Sequence, residues 1–311
     1  MNRALAPFLL AARHARLLLI AGLLAGIGLP GLAQTIKPWL AELVAATLFV
    51  AALRIGPREA LGAARDLPRT LGLVLALQLA LPVAVLVICA ALGWRDTPLA
   101  LALALMCAAP PIAGSPGLTV MVGHDPAPAL RLLVLGTLLV PLTVLPTLWL
   151  MPVLGTPGAV LAAAARLMTV IGGAVAAALL ARGRLAPAPG PRGVAALDGL
   201  GALFLATVVV GLMSALGPAL RMAPLVLLGW LAVAVAVNFG MQLAVKRLHG
   251  RSRRDSDAAV PHAIAAGNRN MALFLVALPP EITEPLLLFI GCYQVPMYLT
   301  PVLLGRLYAP K

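Results

Sequence analysis

The sequence predicts an all-α membrane protein of ten transmembrane helices, built as two inverted five-helix repeats in which helices 4 and 9 are broken and cross. Three observations predict this. The apolar content is more than a water-facing surface can hide, positive charge falls on one side of the apolar runs, and a half-chain offset relates two interrupted segments.

Of the 311 residues, 62% are hydrophobic and 11% are charged. A soluble domain carries about 25% charged residues and needs them for its exterior. A helix crosses the hydrocarbon core with about 20 apolar residues, so ten spans use about 200 and leave short connections. Long unbroken runs such as 71–92 and 200–216 read as helices. The strands of a membrane barrel would alternate in polarity over about 10 residues.

The apolar runs place spans near 17–34, 38–53, 69–92, 98–122, 128–152, 157–181, 197–217, 223–247, 260–279 and 283–307. Loop signals separate them: Gly56, Pro57 and Pro68 in one connection, and Pro187, Pro189, Gly190 and Pro191 in a linker just past the middle of the chain. Arg13 and Arg16 precede the first run, and Gly31-Leu32-Ala33-Gln34 is like a leader cleavage region. The repeat requires this run as the first span.

Net charge is +13. The cations sit between spans without interleaved aromatics, which indicates membrane topology rather than nucleic-acid binding. With ten spans, 18 of the 23 Lys and Arg residues fall on one side: the N-terminus (Arg3, Arg13, Arg16), the 2–3 loop (Arg54, Arg58, Arg65, Arg69), Arg131, the central loop (Arg182, Arg184, Arg192), the 8–9 loop (Lys246, Arg247, Arg251, Arg253, Arg254) and the C-terminus (Arg306, Lys311). Lys37, Arg95 and Arg221 fall on the other side, while Arg166 and Arg269 lie within spans. The positive-inside rule then puts both termini in the cytoplasm, in a multi-pass protein of the cytoplasmic membrane.

Ala113-Gly114-Ser115-Pro116-Gly117-Leu118 aligns with Ala266-Gly267-Asn268-Arg269-Asn270-Met271 at an offset of 153. After two inserted residues, Gly136, Val140, Pro141 and Pro146 fall on Gly291, Val295, Pro296 and Pro301 at an offset of 155. Half a chain of offset implies a duplication, 1–155 and 156–311. An odd number of helices per unit turns the second unit upside down, an arrangement common in secondary transporters.

The chemistry is expected at two interrupted spans. The fourth carries Pro110, Pro111, Gly114, Pro116 and Gly117, too many breakers for one continuous helix. Such a break is tolerated in lipid only where protein buries it or it lines a cavity. The ninth breaks at Gly267-Asn268-Arg269-Asn270. Arg269 lies near the midplane, too deep to reach an interface, so it marks a site or a partnered charge. Glu42 and Asp198 lie near span starts and the other acids lie in loops. Three roles stay open for Arg269: it faces an incoming anion, it bonds freed carbonyls of the crossing helix, or it serves as a built-in cation. Half-helix N-termini meeting near it would also favour an anion. Asn238, Gln242 and Gln78 add polar contacts or helix–helix bonds. Cys89, Cys107 and Cys292 are widely spaced in apolar segments, without metal spacing. No phosphate-binding loop, catalytic triad or zinc motif is present, so neither an enzyme nor a cofactor is expected.

At the two breaks the sequence resembles the bile acid:sodium symporter family, over nearly the whole chain and most closely at Cys107–Pro146 and Ala263–Leu278. Ala109-Pro110 with Ser115 is similar to the family's fourth-helix motif, and Gly267-Asn268-Arg269-Asn270 to its ninth-helix Gly-Met-Gln-Asn. Gln78 with Pro82 is similar to its third-helix pair. The resemblance implies a moving core (helices 3–5 and 8–10, about 69–152 and 223–307) against a panel of helices 1, 2, 6 and 7. It also implies alternating access and bulky organic anions as substrates. Substrate contacts are then expected from Arg269, Asn268, Asn270, Ser115, Gly114, Gly267, Asn238 and Gln78. The family's sodium ligands are largely replaced: its ninth-helix Glu falls on Ala265, its Gln on Arg269, an Asn on Pro116 and two hydroxyls on Ala129 and Leu133. A degenerate sodium site around Ser115, Gln78 and Ala265 implies sodium-independent transport. Two other readings are an arsenite exporter of a related family, to which Cys107 would be relevant, and a non-transporting membrane receptor.

Overall fold

The computed structural model describes residues 5–62, 66–154, 156–185, 189–250 and 256–309. Arg3, Arg65, Arg251, Arg253, Arg254 and Lys311 of the charge distribution, and Pro187 of the linker, lie outside the described residues. The described chain is helical throughout, with one isolated antiparallel bridge and no strand.

Seven helices are long and apolar enough to cross a bilayer: Pro30–Gly56, Leu67–Ala91, Ala127–Trp149, Pro157–Gly183, Pro191–Met222, Pro224–His249 and Pro280–Leu303. An eighth is Ala15–Gly28 taken with Ala6–Arg13, from which it is bent by 82°. Two further apolar segments are interrupted. Pro98–Ala108 is followed by Ser115–Met121, and Ser256–Gly267 by a 3-10 turn at Met271–Leu273 and the short helix Phe274–Ala277. The protein is an all-α, multi-pass membrane protein.

Local chemistry explains the breaks. Pro98 takes the first helical position, where a missing N–H costs nothing, and the Thr97 hydroxyl accepts the Ala100 N–H at 3.2 Å. The expected first span, 17–34, is not one helix. Leu29 turns extended (φ −119°, ψ 71°), as a residue before proline prefers, and Pro30 starts a new helix. Within Leu67–Ala91 a π turn covers Ala76–Ala80. Pro82 has no N–H for the Gln78 carbonyl, so the ladder widens there. Gly56 has φ +66° and kinks the Leu40–Gly62 helix. The Arg182 guanidinium fills that kink, donating to the Leu53 and Arg54 carbonyls at 2.7 and 3.0 Å.

The helices approach closely where small residues allow it, as apolar helices in lipid do. A Cβ on Gly22 would lie 2.8 Å from the Ala206 carbonyl oxygen, so the first span rests directly on the Pro191–Leu212 backbone.

Polar contacts between helix ends sort into two groups. Lys37–Glu284 (2.8 Å), Arg95 to the Leu150 carbonyl (3.1 Å) and Gln34 to the Ser214 carbonyl (3.3 Å) join one group. Arg54–Asp198 (3.0 Å), His124 to the Tyr308 carbonyl (2.6 Å) and Arg16 to the Met121 sulfur (3.1 Å) join the other. Each of these contacts links ends that the charge distribution assigns to the same side.

Candidate functional site

The two interrupted segments meet at their breaks. The Ile112 N–H donates to the Asn268 carbonyl at 2.9 Å and the Asn270 N–H to the Pro110 carbonyl at 2.8 Å, forming a bridge centred on Pro111 and Arg269. The two bonds exchange with each other, as in any antiparallel bridge. The first helix stops at Ala108 and the other runs on to Gly267.

Breaking a helix leaves its last carbonyls without partners. Arg269 supplies donors to both ends: Nε donates to the Ala266 carbonyl at 2.6 Å and Nη1 to the Ala109 carbonyl at 2.9 Å. Nη2 lies 3.9 Å from the Met241 sulfur. The residue is 1% exposed. Each helix C-terminus carries about half a negative charge, so one guanidinium offsets about what two of them accumulate. The planar fork of arginine suits this double donation, whereas a lysine ammonium is a point charge.

Behind the bridge, the second half of the chain holds a buried polar network. Asn238 Nδ2 donates to the Gly267 carbonyl at 2.6 Å, and the Tyr293 hydroxyl donates to the same oxygen at 2.5 Å. Gln242 Nε2 donates to Asn238 Oδ1 at 2.7 Å and to Thr300 Oγ1 at 3.0 Å, while its Oε1 accepts the Tyr308 hydroxyl at 3.1 Å. Asn268 Nδ2 returns to the Ile264 carbonyl at 2.8 Å. Gly267 must be glycine, because a Cβ there would run into the Gln242 side chain and come within 2.6 Å of the Asn238 carbonyl oxygen. In the first half, Gln78 Oε1 accepts the Thr143 hydroxyl at 3.5 Å, and Gln78 Nε2 and Ser115 Oγ are buried without partners among the described residues.

A cavity of about 50 Å³ lies against the bridge. Ile112, Ala113 and Arg269–Ala272 form one wall with Gln294, Met297 and Tyr298. Val44, Thr47 and Leu48 of the Leu40–Gly62 helix and Leu205, Val208 and Leu212 of the Pro191–Leu212 helix form the other. The Asn270 side chain has no hydrogen bond among the described residues and is half-buried. The Tyr298 hydroxyl is buried without a partner among the described residues.

Of the residues expected from the sequence, Arg269 and Asn270 line this cavity. Asn268, Asn238 and Gly267 stand behind it as the network that holds the break. Gly114, Ser115 and Gln78 lie outside its lining, although a Cβ on Gly136 would lie 2.5 Å from Gln78 Nε2 and 3.2 Å from Pro111. Thr47, Gln294 and Tyr298 were missed. The signal for two of them was a polar pair four residues apart on one apolar helix.

The residues do not fit a sodium ion. The buried side chains among the described residues include no carboxylate. Ala265, Ala129 and Leu133 offer no side-chain oxygen, and Arg269 occupies the carbonyls that end the two helices. A fixed guanidinium would repel a second cation in the same volume.

No known protein-family description matches this chain, and no curated protein matches it.

Proposed function

We propose that the chain is a secondary transporter of an organic anion that works by alternating access without sodium. In this reading the protein has ten spans: the eight apolar helices plus the two interrupted ones, as two inverted repeats in the cytoplasmic membrane with both termini inside. The same-side grouping of contacts between helix ends supports that layout. The cavity carries the functional reading. Its walls come from the proposed core on one side and from helices 2 and 7 of the proposed panel on the other, and they meet at the bridged breaks. A volume of about 50 Å³ admits one or two waters at about 30 Å³ each. Sites for organic ligands run to about 300–1,000 Å³. A cavity of this size does not hold an organic anion, so in this reading loading requires panel and core to separate. Asn270, Gln294 and the Tyr298 hydroxyl would then meet the substrate's polar end, with the Arg269 charge directly behind them. Cys107 is 2% exposed and not in the cavity lining, so the arsenite reading lacks its thiol.

Thermal shift of the purified protein with a panel of organic carboxylates tests this. Stabilisation that ignores Na⁺ and weakens in Asn270→Ala is expected. Stabilisation that requires Na⁺ would overturn the sodium-independent reading. No stabilisation by any carboxylate, and no uptake into proteoliposomes, would overturn the transporter.

A further inference from the structure

The exposed tryptophans lie along one rim of the protein. Trp39, Trp94 and Trp149 are 62%, 50% and 60% exposed, and each stands where a helix stops. Trp39 ends the 3-10 turn Lys37–Trp39. Trp94 follows Gly93, whose φ of +74° turns the chain out of the Leu81–Ala91 helix, and its N–H donates back to the Cys89 carbonyl at 2.7 Å. Trp149 ends the Leu145–Trp149 helix. Contacts tie the three stops together. Lys37, two residues before Trp39, pairs with Glu284 at 2.8 Å. The Glu284–Leu286 turn packs against the Pro98–Ala108 helix, which begins four residues after Trp94. Arg95 donates to the Leu150 carbonyl at 3.1 Å and so joins the neighbours of Trp94 and Trp149.

We propose that these three indoles seat the protein in the glycerol–ester layer of one leaflet, the leaflet away from the side richest in Lys and Arg, whatever the chain transports. An indole has an apolar body and one N–H, so it suits the boundary where hydrocarbon gives way to headgroups. That boundary is written around each of them. Leu92 is exposed just before Trp94, and Arg95 follows it. Leu142 is exposed two turns before Trp149, and Lys37 lies beside Trp39. Half or more of so large a side chain left in water would be costly, and ester carbonyls would instead accept its N–H. The opposite rim is built differently. Among the described residues it exposes no tryptophan or tyrosine: Tyr308, which lies there, is 1% exposed. Arg13 and Arg16 are exposed there instead. Indoles therefore hold one interface and cations the other.

Single-tryptophan proteins test this. All but one of Trp39, Trp94, Trp149 and Trp230 are replaced by Phe in the full-length chain. Each protein is reconstituted in phosphatidylcholine brominated either near the ester end or near the tail end of its chains, and indole fluorescence reads the quenching. For Trp39, Trp94 and Trp149 the shallow bromine should quench about twofold more than the deep one, since the two depths are separated by roughly 10 Å of a half-core about 15 Å thick. Trp230, whose ring centroid lies 5.5 Å from that of Phe289, should be quenched less than any of the three. Should these variants fail to fold, the wild type carries the same test, because three of its four tryptophans are on the rim. Its emission should fall more with the shallow bromine than with the deep one, and less with aqueous iodide than with the shallow bromine. Equal quenching at both depths, iodide outdoing the shallow bromine, or indoles reached by neither, as a second copy covering the rim would leave them, would each overturn the proposal.

Discussion

Arg269→Lys keeps the buried charge and removes the fork, and so isolates what the guanidinium does at the bridge. In the wild type one side chain satisfies the Ala266 and Ala109 carbonyls at 2.6 and 2.9 Å from two different nitrogens. A lysine ammonium is a single centre on a flexible stem and can serve one of those oxygens. The other becomes a buried acceptor without a donor, which costs about 1–3 kcal/mol. Relief of desolvation does not offset this loss, because an ammonium is more strongly hydrated than a guanidinium and is at least as costly to bury. That is why lysine, and not methionine, gives a sign that can be fixed beforehand. At roughly 2 °C per kcal/mol for a chain of this size, the midpoint of thermal unfolding in detergent should fall by about 2–6 °C. A lysine variant that melts within a degree of the wild type would refute the double-capping argument. Arg269 would then be a charge in a cavity wall and not the brace of two helix ends.

Four other outcomes are expected. Gly267→Ala places a methyl against Gln242 and the Asn238 carbonyl and should destabilise by about 1–3 kcal/mol, as overpacking does, seen as a lower unfolding midpoint. Gly56→Ala forces an L-residue to φ +66° and ψ 172°, a region essentially confined to glycine, and into the Arg182 guanidinium, and should cost about 1–3 kcal/mol by the same measurement. Tyr298→Phe removes a buried hydroxyl that has no partner, so stability should stay within about 1 kcal/mol while binding of the organic anion weakens. Lys37 and Glu284 form a 2.8 Å pair between the proposed panel and core, worth at most about 1 kcal/mol at this exposure. Replacing both with cysteine and joining them with a short cleavable thiol-reactive crosslinker should abolish uptake into proteoliposomes, with recovery on cleavage, and unchanged uptake in the crosslinked protein would rule out relative motion at that edge.

What the sequence disclosed, and what it withheld, follows from how each feature is encoded. Pro110, Pro111 and Pro116 announce a broken span because proline removes a donor wherever it stands. Asn268-Arg269-Asn270 announces another because such polarity is costly among apolar neighbours. The partners of Arg269 were not legible. They are backbone carbonyls, which every residue possesses, and only the folded path decides which of them lose their donors. The π turn at Ala76–Ala80 was hidden likewise, since Pro82 states that a bond is missing but not how the turn adjusts. Thr47 and Tyr298 meet across the cavity from helices about 250 positions apart, and no local period reports that.

The brace at the crossing is part of the chain: the guanidinium that donates to both helix ends is covalently attached. A carrier whose crossing is held by a dissociable ion is switched by that ion's arrival and departure, and its empty form waits at one face until the ion returns. A guanidinium on a side chain never leaves. The unloaded protein of the proposed cycle is therefore as free to turn as the loaded one. Without a sodium gradient to draw on, the proposed carrier would work by facilitated diffusion or by exchange of one molecule for another.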